Sequence, residues 1–202
     1  MGLFSFFSRN KNSEQIDAHN VSDLELFAPV GGTLLSLREV PDLVISEKLI
    51  GDGVAIAPER STNMIYAPCD GTISRITASN NAFTIKRDNG LEIYVTFGIG
   101  TNAFTGKGIS SRVIVGAQVT QGTPIINIDM QVAKEDLESA IVSMIIVNSS
   151  ADIAKVISSR GKAQAAKTPC AWVYLKDSES TNYLRYLQRR GIFTDPIRKS
   201  HN

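Results

Sequence analysis

Histidine is almost missing from this chain. Two of its 202 residues are histidine, His19 and His201, and both lie in polar stretches near the ends. Imidazole is the side chain whose ordinary pKa lies nearest neutrality, so the body between these two positions lacks the commonest general base and metal ligand. Cysteine is scarce as well. Cys69 and Cys170 are too few for a disulfide framework, and they are not paired as C-x-x-C. A reducing cytoplasm is the simplest context, and neither a zinc site nor any other metal or cofactor is expected. No apolar run is long enough to cross a bilayer. The formal net charge of +1 gives no whole-chain electrostatic case for nucleic acid.

What is present fits one domain with tails. The opening MGLFSFFSRNKN is not a secretory signal, because Arg9 and Lys11 follow the apolar stretch instead of preceding it. Phe6 breaks the myristoylation pattern. Residues 1–12 can form a helix with Leu3, Phe4, Phe6 and Phe7 along one side. Two readings stand for it: an interfacial helix on a membrane, with residues 2–9 in contact with lipid, or a terminal segment that docks on the body or frays. Residues 13–21 read as a polar linker.

From Leu24 to Leu175 short apolar or alternating runs recur, among them TLLSL, VAIAP, TISRI, AFTIK, LEIYVTFGI, PIINI and AIVSMIIV, with Gly, Asn and Asp between them. That pattern predicts an all-β fold, an antiparallel sandwich or barrel with small peripheral helices. Asn89-Gly90 predicts a type I′ hairpin turn. APVGGTL (28–34) and APCDGTI (67–73) share Ala-Pro-x-x-Gly-Thr-aliphatic, which predicts a duplicated β motif. Two helices are expected between strands: a short acidic one over 133–140, and one over 149–161 with Ser149 as N-cap, Gly161 as stop, and Ala151, Ile153, Val156 and Ile157 on its apolar side. A further helix is expected over 181–191. Tyr183, Leu184, Tyr186 and Leu187 would share a side, Arg185 and Arg189 would point away, and Arg189 and Arg190 suit the negative end of the macrodipole. The expected organisation is therefore an N-terminal apolar helix and linker (1–21), the β domain (22–176), and a basic C-terminal helix and tail (177–202).

Several motifs sit at a characteristic spacing: FAPVGG (27–32), VPDLVISEKLIGDGVAIAP (40–58), APCDGTI (67–73), SNNAFTI (79–85), EIYVTFGIGT (92–101) and GKGI (106–109). Together they resemble the glucose-type IIA protein of the bacterial phosphoenolpyruvate:sugar phosphotransferase system, over roughly 24–176. In that family the segment matching 92–101 reads V-H-F-G-I-D-T, and its histidine accepts the phosphoryl group. The resemblance places Thr96 at that position. The supporting histidine of T-N-H-A-F falls on Asn81, the neighbouring hydroxyl survives as Ser79, and the family aspartate is replaced by Gly100.

These replacements bear on the chemistry. An imidazole nitrogen is nucleophilic near neutral pH, and its phosphoramidate passes the group on. A threonine hydroxyl needs a base and forms a much more stable ester, and Asn81 cannot buffer a proton. Threonine is a good strand residue and Asn81 can satisfy a turn, so both positions are read as structural. The zinc bridge that the family histidines can form with a partner's carboxylate is expected to be lost too.

The resemblance also implies a docking face for protein partners, matched here by Ile45, Glu47, Leu49, Ile50, Phe83 and Tyr94. Thr77 and Asn102 erode it, since the family has apolar residues there. Phe83 is the preferred interface residue, whereas Leu49 and Ile50 can equally be core. The expectation is a IIA-like protein without the phosphocarrier reaction that regulates sugar uptake or carbon metabolism by contact. Its partners would be phosphotransferase-system components, a permease or a metabolic enzyme. The alternative is an active sugar phosphotransferase-system component relaying phosphoryl groups through another acceptor. The expected location is the cytoplasm, with peripheral contact at the inner face of the membrane.

Overall fold

The structure is a computed structural model that describes residues 22–100, 104–176 and 178–190. The described strands are β1 (Leu24–Phe27), β2 (Gly32–Leu35), β3 (Gly51–Pro58), β4 (Met64–Tyr66), β5 (Gly71–Ile76), β6 (Ala82–Lys86), β7 (Glu92–Ile99) and β8 (Ile109–Ser111). They continue with β9 (Gln118–Val119), β10 (Pro124–Ile128), β11 (Ser139–Val147), β12 (Ile153–Ser158), β13 (Gly161–Ala163) and β14 (Pro169–Leu175). Three helices accompany them: α1 (Leu43–Ser46), α2 (Met130–Ala133) and α3 (Glu179–Arg189). An eight-stranded sheet runs β13-β2-β3-β11-β7-β6-β5-β9, and two three-stranded sheets run β1-β14-β12 and β4-β10-β8. Neighbouring strands are antiparallel, so the all-β sandwich expected from alternation is the fold.

The main core lies between the large sheet and the two small ones. Leu26, Ala171 and Val173 from one small sheet and Ile65, Ile125 and Ile126 from the other meet Val54, Ile56, Phe83, Val95 and Val142 of the large sheet. Burial of so many large aliphatic side chains, each worth about 1.5–3 kcal/mol, is the chief stabilising term.

The repeated Ala-Pro-x-x-Gly-Thr segments mark a duplication that extends through the whole domain. Ala28 N–H donates to Thr168 O, and Ala67 N–H donates to Thr123 O, both at 2.9 Å. Ala28 O accepts from Ala166 N–H, and Ala67 O accepts from Gly122 N–H. The two copies also bond to each other, Phe27 N–H to Pro68 O and Tyr66 N–H to Pro29 O. Each copy leads into a strand, β2 or β5, that lies second from an edge of the large sheet. The sheet order therefore maps onto itself, β13-β2-β3-β11 onto β9-β5-β6-β7, and β1-β14-β12 maps onto β4-β10-β8. In chain order the second unit, β4 to β10, is inserted between β3 and β11 of the first. The local two-fold passes between β7 and β11.

Three local expectations change. Residues 149–161 are not a helix. Ile153–Ser158 form β12, which pairs with β14 through an irregularity between Ile153 and Lys155. That shift puts Ile153 and Val156 against the main core and Ile157 in a cluster with Trp172 and Tyr174. A bulged strand thus reproduces a three-four apolar spacing that otherwise signals a helix. Over 133–140 the helical part starts earlier: Asp129 caps α2, a 3-10 turn covers Lys134–Asp136, and Ser139 opens β11. At the β6–β7 hairpin Gly90 has positive φ (+85°) but Asn89 does not. Gly90 N–H donates to Arg87 O, and Leu91 N–H to Asn89 Oδ1. The connection is a three-residue type I turn closed by Gly90, not type I′.

Candidate functional site

The site lies on the outer face of the large sheet, where the two-fold crosses it. Strand alternation puts Tyr94 and Thr96 of β7 outward, and Val95 and Phe97 inward. Cross-strand register sets Thr96 between Ser143 of β11 and Ala82 of β6, with Ala55 of β3 beyond Ser143. The row reads Ala55, Ser143, Thr96, Ala82, with Ser143 directly across from Thr96 on the neighbouring strand. Thr96 is 8 % exposed, Ser143 is fully buried, and the Ser143 hydroxyl has no hydrogen-bond partner.

What buries this face is the connection between β2 and β3. Its counterpart in the second unit is the short turn 77–81, whereas 36–50 folds back over the sheet. Ser36 and Glu39 form a capping box around the 3-10 turn Leu37–Glu39. Asp42 Oδ1 accepts from Ile45 N–H at 3.0 Å and caps α1. Lys48, at φ +55°, ends the excursion and pairs with Asp52 at 2.6 Å. Leu37, Val40 and Ile45 then cover Ala55, Ile99 and Ile145, with Tyr94 packed alongside. Gly98 lets Ile99 join this outer cluster. At φ +88° it breaks the alternation, and a Cβ there would lie 2.8 Å from Leu137 Cδ1.

Asn81 is 5 % exposed, and its amide is committed at both ends. Its Oδ1 accepts from Thr77 Oγ1 at 2.9 Å and from Ser79 Oγ at 2.6 Å. Its Nδ2 donates to Phe97 O at 3.1 Å, and its backbone O accepts from Phe97 N–H at 2.8 Å. Asn81 thus ties the turn 77–82 to β7 one residue beyond Thr96. Thr77, read from sequence as erosion of an apolar face, is half-buried and serves as Asn81's partner.

Of the residues assigned to a docking face, Leu49 (68 % exposed) and Ile50 (37 %) are on the surface, and Glu47 is exposed at the end of α1. Ile45 is buried and Tyr94 half-buried in the outer cluster. Phe83 is a correction. It is 1 % exposed and pairs with Val95 on the inward side of β6, one step out of phase with Ala82 and Thr84, so it is core. Leu43 (78 % exposed) and Val44 (46 %) were missed and extend the apolar surface of Leu49 and Ile50. The signal was present: Asp42 is an N-cap residue, and a four-residue helix can bury only one side.

Gly100 sits at φ +75°, and a Cβ there would lie 2.5 Å from Glu138 Cγ. An aspartate in its place would be strained, and the carboxylate that does lie here is Glu138, which sequence reading passed over. Asn102, and Leu3, Phe4, Phe6 and Phe7 with the membrane contact expected of them, lie outside the described residues. Among the described residues no group of three or more His, Cys, Asp or Glu side chains could hold a metal ion, and no helix is long and apolar enough to cross a membrane. Chemically, Thr96 is a hydroxyl flanked by the Ser143 hydroxyl and the Ala82 methyl across the strands and by Tyr94 along its own, none of them an imidazole or a carboxylate.

Comparison with known proteins agrees with this architecture. The family model for the phosphoenolpyruvate-dependent sugar phosphotransferase system, EIIA 1, matches residues 24–152. A glucose-specific EIIA component from Borreliella burgdorferi is 39 % identical over 149 residues, 74 % of this chain and 72 % of that protein. One from Buchnera aphidicola (subsp. Baizongia pistaciae) is 38 % identical over 168 residues, covering 83 % of this chain and 96 % of its own. The solved glucose permease IIA from Mycoplasma capricolum superposes with a TM-score of 0.66 at 28 % identity, over 73 % of this chain and 94 % of that one. From motif spacing, nested duplication and these matches together, the chain belongs to the EIIA 1 family of the phosphoenolpyruvate-dependent sugar phosphotransferase system and carries a glucose-type IIA domain.

Proposed function

We propose that this protein is a glucose-type IIA component that has lost the histidine phosphorelay and acts by binding protein partners. One observation carries the reading: the position matched to the supporting histidine is Asn81, whose side-chain oxygen and nitrogen are both used to hold a turn. No histidine lies between residues 20 and 200. Thr96 is buried in sheet, with Ser143 and Ala82 as its cross-strand neighbours. A buried alcohol without a base neither attacks a phosphohistidine readily nor releases the group once esterified.

Binding needs only a surface. Leu43, Val44, Leu49 and Ile50 are exposed apolar side chains within eight residues of chain, and large apolar residues gathered on a surface mark contact sites. Glu47 and the half-buried Lys48–Asp52 pair lie among them. Partners of this face are phosphotransferase components or a permease, and the relatives' names point to glucose uptake.

The test is a reconstituted phosphorelay. Phosphoenolpyruvate, enzyme I and the histidine phosphocarrier protein are mixed with this protein, and acid-labile label on the chain is read. Wild type is expected to take none, and Asn81→His with Thr96→His to take some, with Thr77→Val added to relieve the unpaired hydroxyl. Label on the wild type refutes the loss of the relay. Leu43→Asp with Leu49→Asp is expected to leave the fold intact and to abolish capture of partner components.

A further inference from the structure

We propose that helix α3 is an interfacial helix that seats this protein on an anionic lipid surface. This inference is independent of the phosphorelay reading and rests on a different part of the molecule.

The helix is anchored, not trailing. Asp23 Oδ2 accepts from Leu175 N–H and from Ser178 Oγ, each at 2.8 Å. Ser178 Oγ also reaches Leu175 O at 3.0 Å, and Ser178 O accepts from Asn182 N–H in the first turn. One carboxylate on the first strand's leading end therefore ties the last strand to the start of α3. Leu187 is 1 % exposed, and the helix packs on β14. The inner side of β14 faces the sandwich, with Ala171 and Val173 in the core, so the helix takes the other side.

The rest of the helix surface has a specific chemistry. Tyr183 and Tyr186, expected to share a side with Leu187, are exposed by 38 % and 50 %. Their rings stack at 6.3 Å, and the Arg190 guanidinium lies 5.4 Å from the Tyr186 centroid. Arg185 and Arg189 are exposed as well. At 100° per residue, Arg185, Arg189, Tyr186, Arg190 and Tyr183 share one face with the exposed Asn182 and Glu179, and Leu187 lies beyond its edge. Three arginines against one glutamate, Glu179, make this the basic part of a chain whose whole formal charge is +1.

Tyrosine rings and guanidinium groups on one convex, rigidly held side are what the headgroup region accepts. The rings sit at the apolar boundary and the cations meet phosphates. An acidic protein surface also takes tyrosine and arginine; the bilayer is the occupant argued for because aromatic rings set among cations match its interfacial belt.

The test uses the full chain and flotation with vesicles of phosphatidylcholine containing a quarter phosphatidylglycerol, beside vesicles of phosphatidylcholine alone. Wild type is expected to float with the anionic vesicles only, and to be released as salt is raised. Arg185→Gln with Arg189→Gln and Arg190→Gln removes three cations and is expected to lower partition by on the order of a hundredfold. Tyr183→Ser with Tyr186→Ser is expected to weaken binding at unchanged salt dependence. All five side chains are exposed, so the variants should keep the wild-type melting temperature, which is checked in parallel. Three results overturn the proposal: equal binding to both vesicle types, wild-type partition by the triple variant, or binding to an acidic protein without binding to vesicles. If the triple variant still floats, changing Leu3, Phe4, Phe6 and Phe7 to serine shows whether the N-terminal segment is the anchor instead.

Discussion

Removing the Asn81 side chain should cost more stability than its size suggests. Asn81→Ala deletes three hydrogen bonds: those from Thr77 Oγ1 at 2.9 Å and Ser79 Oγ at 2.6 Å, and the one to Phe97 O at 3.1 Å. A typical bond contributes about 0.5–1.5 kcal/mol net, and a buried group left without a partner costs about 1–3 kcal/mol. The bond to Phe97 is buried, whereas Thr77 and Ser79 are half-buried and recover some hydration. The expected loss is about 3 kcal/mol, which for a chain of this length lowers the melting temperature by roughly 6–12 °C. Urea titration of wild type, Thr77→Val, Asn81→Ala and the double variant gives the coupling between the two side chains, expected at about 1 kcal/mol. Asn81→Asp should be worse than its charge at the surface would imply, because it keeps the acceptor and turns an anionic oxygen toward Phe97 O. The reasoning fails if Asn81→Ala lies within about 0.5 kcal/mol of wild type, or if the Thr77–Asn81 cycle closes without coupling. Thr96→Val provides the contrast. It keeps the volume of a residue with two β-substituents, and its effect should be small.

Three further outcomes follow from the same geometry. Ser143→Ala removes a fully buried hydroxyl without a partner and should be neutral or stabilising by about 1 kcal/mol in urea titration. Gly98→Ala must place a Cβ 2.8 Å from Leu137 Cδ1 at φ +88°; it should destabilise by about 2 kcal/mol or more, with partial rescue by Leu137→Ala. Burial pushes the Cys69 thiol up to about 11 and the Cys170 thiol up to about 12. Raised native pKa values make these thiols stabilising below pH 9, and that stability is lost as pH rises from about 9 toward 11, at about 1.4 kcal/mol per pH unit for each group. Replacing both with alanine should flatten that part of the stability curve, and iodoacetamide at pH 8 should label neither thiol until the protein unfolds.

Where a feature depends on neighbours in the chain, it was legible. Strand alternation, the turn glycines and the repeated Ala-Pro-x-x-Gly-Thr segments gave an antiparallel sandwich with a duplicated motif, because side-chain period and turn stereochemistry are local properties. The misread segment 149–161 shows the limit: a bulge in β12 shifts Ile153, Val156 and Ile157 by one residue, and the resulting spacing is that of a helix. The reading of Phe83 failed for a related reason. Its neighbour Ala82 shares the Thr96 row, but alternation turns Phe83 to the other side, and which side is outward depends on what covers the sheet.

The sequence by itself determined that no imidazole stands anywhere in the body of the domain, and hence which chemistry the body lacks. Only the tertiary structure decided what occupies the vacated positions. Thr77, Ser79, Asn81 and Phe97 become one hydrogen-bonded unit because a turn and a strand meet at their ends, and Ser143 faces Thr96 because β7 and β11 pair in that register. Contacts of that kind join residues up to 47 positions apart in the chain, and cross-strand register, not local pattern, brings them together.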